Sequence, residues 1–197
     1  MQKNRALVQT ALFMLWTVLG IGLAYWLTRH YYDLRGGTAE FKSICNFGER
    51  MSCDAVAASR YSDIFFGFPV SSVAAGFYLG LFLIAAGSLR ASWRSEGRWL
   101  LLLLTSGGIV FSLGLLFIMA FMLKIYCLFC LGLDLIGLLS FATAIWIWRS
   151  EPLAKPSAGN ALFFLAIVAG SVAIAVTGLD RMYHNRIDPQ KVRGAVD

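Results

Sequence analysis

The chain has 197 residues, 58% of them hydrophobic, and a formal net charge of +6; its mean hydropathy is +0.69. So much apolar surface excludes a soluble domain and marks a polytopic membrane protein. The basic excess does not imply nucleic acid, because Lys3, Arg5, Arg90, Arg94, Arg98 and Arg149 flank apolar runs and no nucleic-acid-binding motif accompanies them.

Crossing a hydrocarbon layer about 30 Å thick takes roughly 20 apolar residues of helix. Five runs qualify: 6–28, 69–89, 99–123, 126–148 and 160–179. Continuous apolarity over such lengths suits helices, whereas barrel strands alternate over about ten residues. The expected fold is all-α. The first run starts behind Lys3 and Arg5, as a signal peptide would, but it outlasts an apolar signal core of about 7–15 residues. It ends Ala24-Tyr25-Trp26-Leu27, with aromatics where an interface belt places them, so it reads as a retained anchor. Trp16, Trp99, Trp146 and Trp148 also read as boundary residues, and His30 and His184, at helix ends, as solvated or interfacial groups.

Lys3 and Arg5 before the first span, and Arg90, Arg94 and Arg98 between the second and third, assign those segments to the cytoplasm. Parity then puts loop 29–68, the junction near Lys124 and the tail on the other side. That face is expected to be the oxidising one, in the periplasm of a bacterial inner membrane or the lumen of the endoplasmic reticulum. The tail strains the rule, since Arg181, Arg186, Lys191 and Arg193 lie on it. Residues 181–197 read as a basic, mobile tail.

Loop 29–68 balances Arg29, Arg35, Lys42, Arg50 and Arg60 against Asp33, Glu40, Glu49, Asp54 and Asp63, and it carries Cys45 and Cys53. Gly36-Gly37 breaks the chain after the first span, and Gly48 permits a turn between the two cysteines. Asp54 is expected to cap a short helix reaching Tyr61. Ile64, Phe65, Phe66 and Phe68 then form an apolar cluster that draws the loop over the bundle, and Pro69 suits the first turn of the second span. Small residues at Ala74, Ala75, Gly76, Gly80, Gly107, Gly108, Gly114, Gly132 and Gly137 allow helices to approach closely. Pro152 and Pro156 mark a linker, which with the fifth run makes a unit at 151–180; that run contains no charge and reads as an added anchor.

The chemistry concentrates at Tyr126-Cys127-Leu128-Phe129-Cys130, where one apolar run follows another. Both sulfurs are expected on the first turn of a helix, whose free N–H groups favour thiolate. Lys124 is a second candidate for lowering a thiol pKa there. Two cysteine pairs have three meanings: a metal site, structural disulfides or a redox relay. For zinc, C-x2-C is a usable half-site, but Cys45 and Cys53 are too widely spaced and no histidine completes a familiar pattern. A bridge within one helical turn closes almost no loop and constrains the unfolded chain little, so that pair is more useful as a reversible switch. The residues read as a membrane thiol oxidoreductase. Without a dinucleotide, haem or flavin motif, its electron acceptor is expected to be a quinone in the lipid, with Cys130 deeper than Cys127.

Cys45-x7-Cys53, the following Ser59-Arg60-Tyr61, Phe66-Gly67-Phe68-Pro69 and Cys127-x2-Cys130 together resemble the vitamin K epoxide reductase (VKOR) family, in its bacterial branch, from about Phe41 to Trp148. The resemblance implies a four-helix bundle, residues 1–150, around a quinone (ubiquinone or menaquinone), with no metal. It implies that Cys45 takes electrons from a thioredoxin-like or DsbA-like periplasmic partner, that Cys53 passes them to Cys127, and that Cys130 reduces the quinone, driving disulfide formation. Ser59 would sit near the quinone. Many bacterial relatives continue past a fifth helix into a thioredoxin-like domain, which is not found before Asp197. Animal relatives carry a tyrosine where this chain has Asp134, and an asparagine where it has Ser71 or Ser72. Both departures argue against epoxide reduction. They make Asp134 and Ser72 candidate quinone contacts, Asp134 through hydrogen bonding or proton delivery, or else a paired group linking two helices. A DsbB-type quinone reductase is the nearest alternative, but its cysteine pairs come in the opposite order. A non-catalytic scaffold with structural disulfides is the other.

Overall fold

A computed structural model describes residues 2–35, 46, 50–64, 68–89, 94–150 and 158–184. The expectations for Gly36-Gly37, Cys45, Gly48, Phe65 to Gly67, the proline linker and residues 185–197 lie outside them. The elements run α1 (Gln2–Arg35), α2 (Cys53–Ala58), β1 (Asp63–Ile64), β2 (Phe68–Pro69), α3 (Val70–Gly87), α4 (Arg94–Phe117), a π-helical segment (Ile118–Leu123), α5 (Leu128–Arg149) and α6 (Ala158–His184). The fold is all-α apart from the two-residue antiparallel ladder β1–β2. Five helices are long and apolar enough to cross a membrane: Arg5–Arg35, Val70–Gly87, Ser95–Leu123, Leu128–Arg149 and Gly159–Tyr183. They make this a multi-pass membrane protein.

The helix ends follow local chemistry. Cap chemistry corrects the loop helix: Ser52, not Asp54, is the N-cap of α2, its hydroxyl accepting from the Ala55 N–H. The helix stops at Ala58 and does not reach Tyr61, because Ser59 turns extended and returns both its N–H and its hydroxyl to the Val56 carbonyl. Pro69 lies one position earlier than expected, as the N-cap of α3, with φ already at −66°. Within α1 the hydroxyls of Thr10, Thr17 and Thr28 donate to the carbonyls of Ala6, Met14 and Ala24, which lets a polar side chain lie buried in an apolar helix. The α1 helix continues past the expected end of the first span to Arg35, lifting His30, Tyr31 and Arg35 toward the loop.

The α3 helix is central, packed against α1, α4 and α6, while α5 closes against α1 and α4. Phe13, Tyr78, Leu81, Ile84, Leu100, Leu101, Ala144, Ile147 and Phe164 form the buried core. The fifth span, expected to be an added anchor, is packed into the bundle. A methyl on Gly76 would overlap Val172 Cα and the Ser171 carbonyl, and one on Gly80 would lie 3.0 Å from Val168 Cα, so α6 lies directly against the α3 backbone. Gly107 and Gly114, by contrast, have open space beside them. Gln9 Nε2 donates to Ser150 Oγ at 2.7 Å at one end of the bundle. At the other, Tyr183 OH donates to Tyr25 OH at 2.9 Å and Tyr32 OH to Asp180 Oδ1 at 3.0 Å. The α6 helix extends to His184, so Arg181 belongs to a helix and not to the tail.

Candidate redox site

Two backbone hydrogen bonds assemble the site. Tyr126 N–H donates to the Arg50 carbonyl at 2.8 Å, and Ser52 N–H donates to the Tyr126 carbonyl at 3.0 Å, making a single parallel bridge between Met51 and Tyr126. Cys127 directly follows Tyr126, and Cys53 comes two residues after Met51. Cys53 opens α2, Cys127 caps α5, and their sulfurs lie 3.4 Å apart, both buried. Met119, from the π-helical segment, completes the apolar cluster around them with Leu27, Val56 and Phe129. A π-helical turn widens a helix locally and recurs at functional sites. Here it ends at Lys124, whose φ of 55° turns the chain toward Tyr126.

Cys53 is disulfide-bonded, whereas Cys127 and Cys130 are free thiols. Cys127 occupies the N-cap position and its sulfur accepts from the Cys130 N–H at 3.2 Å. The sulfur therefore replaces a serine or aspartate oxygen as cap. The Cys127 pKa is lowered, first by the hydrogen bond from the Cys130 thiol and further by the backbone N–H groups of Cys130 and Phe129, against a burial that raises it. Lys124 is exposed and takes no part in this shift. The first-turn expectation is thus refined: one sulfur caps the helix and the other lies within its first turn.

Two side-chain ties hold the loop over the bundle. Asp54 accepts from His30 at 2.8 Å and from Asn46 Nδ2 at 2.6 Å. Asp63 accepts from Tyr31 OH and, at 2.9 Å, from Arg35. His30, expected to be a solvated or interfacial group, is shielded from solvent: its side chain is only 12% exposed, and its ring stacks on Trp26, which packs on Phe129 with centroids 4.2 Å apart.

Beneath the cysteines lies a cavity of about 510 Å³, lined mainly by apolar residues such as Phe77, Leu81, Phe111 and Leu115. Cys53, Cys127 and Cys130 are on its wall, as are Ser59 and Asp134. Ser72 is not. Its hydroxyl donates to the Pro69 carbonyl, three residues back, at 2.7 Å in a buried bond, and the neighbouring Ser71, which accepts from Thr28 Oγ1 at 2.9 Å, faces the cavity instead. Helical geometry explains the choice, since adjacent residues point about 100° apart. The sequence reading also missed Ser112, Tyr61 and Tyr78 on the wall. Ser112 donates to Asp134 Oδ1, and the available signal was a hydroxyl in a largely apolar span that also carries Thr105 and Ser106.

A scan against protein-family models matches the vitamin K epoxide reductase family over residues 11–145. The chain belongs to the vitamin K epoxide reductase family. A search of curated proteins found no match. The match runs from within α1 through most of α5 and ends before α6. VKOR membership supports an oxidoreductase with quinone-linked thiol chemistry, and the three described cysteines stand together beside a cavity that suits it.

Proposed function

We propose that this VKOR-family protein is a quinone-dependent thiol–disulfide oxidoreductase that makes disulfides for a thioredoxin-like or DsbA-like partner. The observation that carries the reading is the 3.4 Å separation of Cys53 and Cys127, one sulfur in a disulfide and the other a free thiol capped by N–H groups. Thiol–disulfide exchange needs a sulfur nucleophile in contact with a disulfide sulfur. In the proposed direction, a partner dithiol reduces the disulfide of the pair Cys45 and Cys53 and leaves as a disulfide. Cys53 thiolate then attacks Cys127 of an oxidised Cys127–Cys130 pair, releasing Cys130, and Cys45 resolves the mixed disulfide. The products are an oxidised loop pair and a reduced Cys127–Cys130 pair.

The residues of the cavity fit a quinone. Its volume of about 510 Å³ lies within the roughly 300–1,000 Å³ of small-molecule sites, and a mostly apolar wall with a few polar groups suits a flat ring. Ser59, Ser71, Cys130 and Asp134 are the residues that would hold the head group. A bound quinone supplies a two-electron, two-proton acceptor, so the net reaction is partner dithiol plus quinone to partner disulfide plus quinol. Cys130, half-buried on the cavity wall, brings the thiol pair to it. The cysteine end lies opposite Lys3 and Arg5, which supports a periplasmic site on a bacterial inner membrane. We assign residues 1–150 to the redox unit, 151–184 to a linker and packed fifth span, and 185–197 to a basic end.

The test is anaerobic quinol formation from a reduced thioredoxin-like protein and a soluble quinone, by native protein and Cys130→Ser. Turnover that depends on the partner and disappears in the variant supports the relay. Four cysteines that stay unchanged in the presence of reductant, with no quinol formed, would mean that the disulfides are structural.

A further inference from the structure

We propose that Asp134 is the proton donor of quinone reduction, holding its proton on Oδ2 and delivering it to a ring oxygen. This rests on the quinone reading above and deepens it. Asp134 follows Cys130 by four residues on α5, so both project from one face of the helix, and both line the cavity. Ser112 crosses from α4 and donates its hydroxyl to Asp134 Oδ1. Oδ2 is buried and has no hydrogen-bond partner among the described residues.

Those two oxygens are not equivalent. Ser112 makes Oδ1 the acceptor, which leaves Oδ2 as the oxygen that holds a proton. A bare carboxylate oxygen without a partner beside an apolar wall is a costly arrangement in a membrane helix; a carboxyl O–H there has a partner once a carbonyl oxygen enters the cavity. Tyr78 does not compete for the role, since its OH already donates to the Leu133 carbonyl at 3.2 Å. The titratable groups that face Asp134 are Tyr78 from α3 and the two cysteines at the start of α5; α4 contributes the uncharged Ser112.

The step balances. Closing the Cys127–Cys130 disulfide removes two electrons and two protons from the dithiol, and making quinol from quinone consumes both. Asp134 gives one proton to a ring oxygen and takes one from the thiols, ending as it began. The second thiol proton goes to the other ring oxygen.

The experiment uses the full chain in liposomes with a reduced thioredoxin-like partner and a soluble quinone. Asp134→Asn keeps the shape and the contact with Ser112 but has no acidic proton. It is expected to lower kcat roughly 100-fold or more while KM for quinone changes little, with Asp134→Glu recovering part of the rate. Two readouts do not involve quinone turnover. Partner-driven reduction of Cys127–Cys130, followed by thiol labelling, should be unchanged in Asp134→Asn. Infrared spectra of the quinone-free protein should show a carboxyl carbonyl band that shifts in D2O, disappears in Asp134→Asn and moves in Ser112→Ala. A higher KM at unchanged kcat would overturn the proposal and leave Asp134 a binding group; so would the absence of that band from the native protein. Failure of the native protein to make quinol, with the band present, would instead overturn the quinone reading, and proton donation with it.

Discussion

His30 Nε2 lies 2.8 Å from Asp54 Oδ1, joining α1 to the residue that directly follows Cys53. The imidazole is stacked on Trp26, 5.3 Å between centroids, and Trp26 packs on Phe129 between the two C-x2-C cysteines. One ring stack therefore sets the position of both partners in the sulfur contact. A hydrogen bond to a charged group is worth about 1.5–3 kcal/mol, so His30→Ala should lower the docking equilibrium constant of the loop helix roughly tenfold or more. Single-turnover trapping of the Cys53–Cys127 mixed disulfide should slow by the same factor, with KM for quinone unchanged. Arg29→Ala is the control, because its pair with Asp33 is 3.5 Å long and its side chain is 59% exposed.

The lowered Cys127 pKa sets a pH dependence. Cys127 is the leaving group of the forward relay and the nucleophile of its reverse, so the reverse exchange, from Cys127 thiolate onto the loop disulfide, is full above the lowered pKa and is lost as pH falls through it. Exchange should persist at pH values below the ordinary cysteine range, about 8.5. In Cys130→Ala the largest stabilising contact is gone, and the midpoint should move back up. Thiolate absorbance of the reduced protein, titrated against a Cys127→Ser reference, measures both.

Adjacent serines should separate by role. Ser71→Ala and Ser59→Ala each remove a hydroxyl from the cavity wall and should raise KM for quinone by roughly two- to tenfold, the worth of one neutral hydrogen bond. Ser72→Ala removes only the bond to the Pro69 carbonyl. It should lower the melting temperature and leave KM alone.

Gly76→Ala tests the packing of the fifth span. The added methyl would meet backbone atoms of Ser171 and Val172, which cannot move without shifting α6. The expected loss is about 1–3 kcal/mol, as for overpacking elsewhere. Gly22→Ala, with nothing within 4 Å of the new methyl, should be neutral or slightly stabilising, because alanine favours helix. Thermal unfolding in detergent compares the two.

The five spans, the family and the place of the C-x2-C pair at a helix start were legible in the sequence. Span length is set by the thickness of hydrocarbon, and a thiol pair three residues apart is a local pattern. Small residues also announced a close helix contact, yet Gly76 and Gly80 make one while Gly107 and Gly114 do not. Which glycine meets a neighbour depends on helix rotation, which lipid-like composition on every face leaves open.

Read alone, the order of residues establishes that this chain crosses a membrane as helices and carries its four cysteines as two pairs. Three-dimensional packing adds that Cys53 and Cys127, separated by 74 residues, touch; that Ser71 and not Ser72 faces the cavity; and that α6 packs into the bundle instead of standing apart. The physical reason is common to all three. Apolar runs and local spacings are fixed by neighbours in the chain and by the bilayer. Contacts between distant segments depend on how caps, the Met51–Tyr126 bridge and the His30–Asp54 tie orient whole elements.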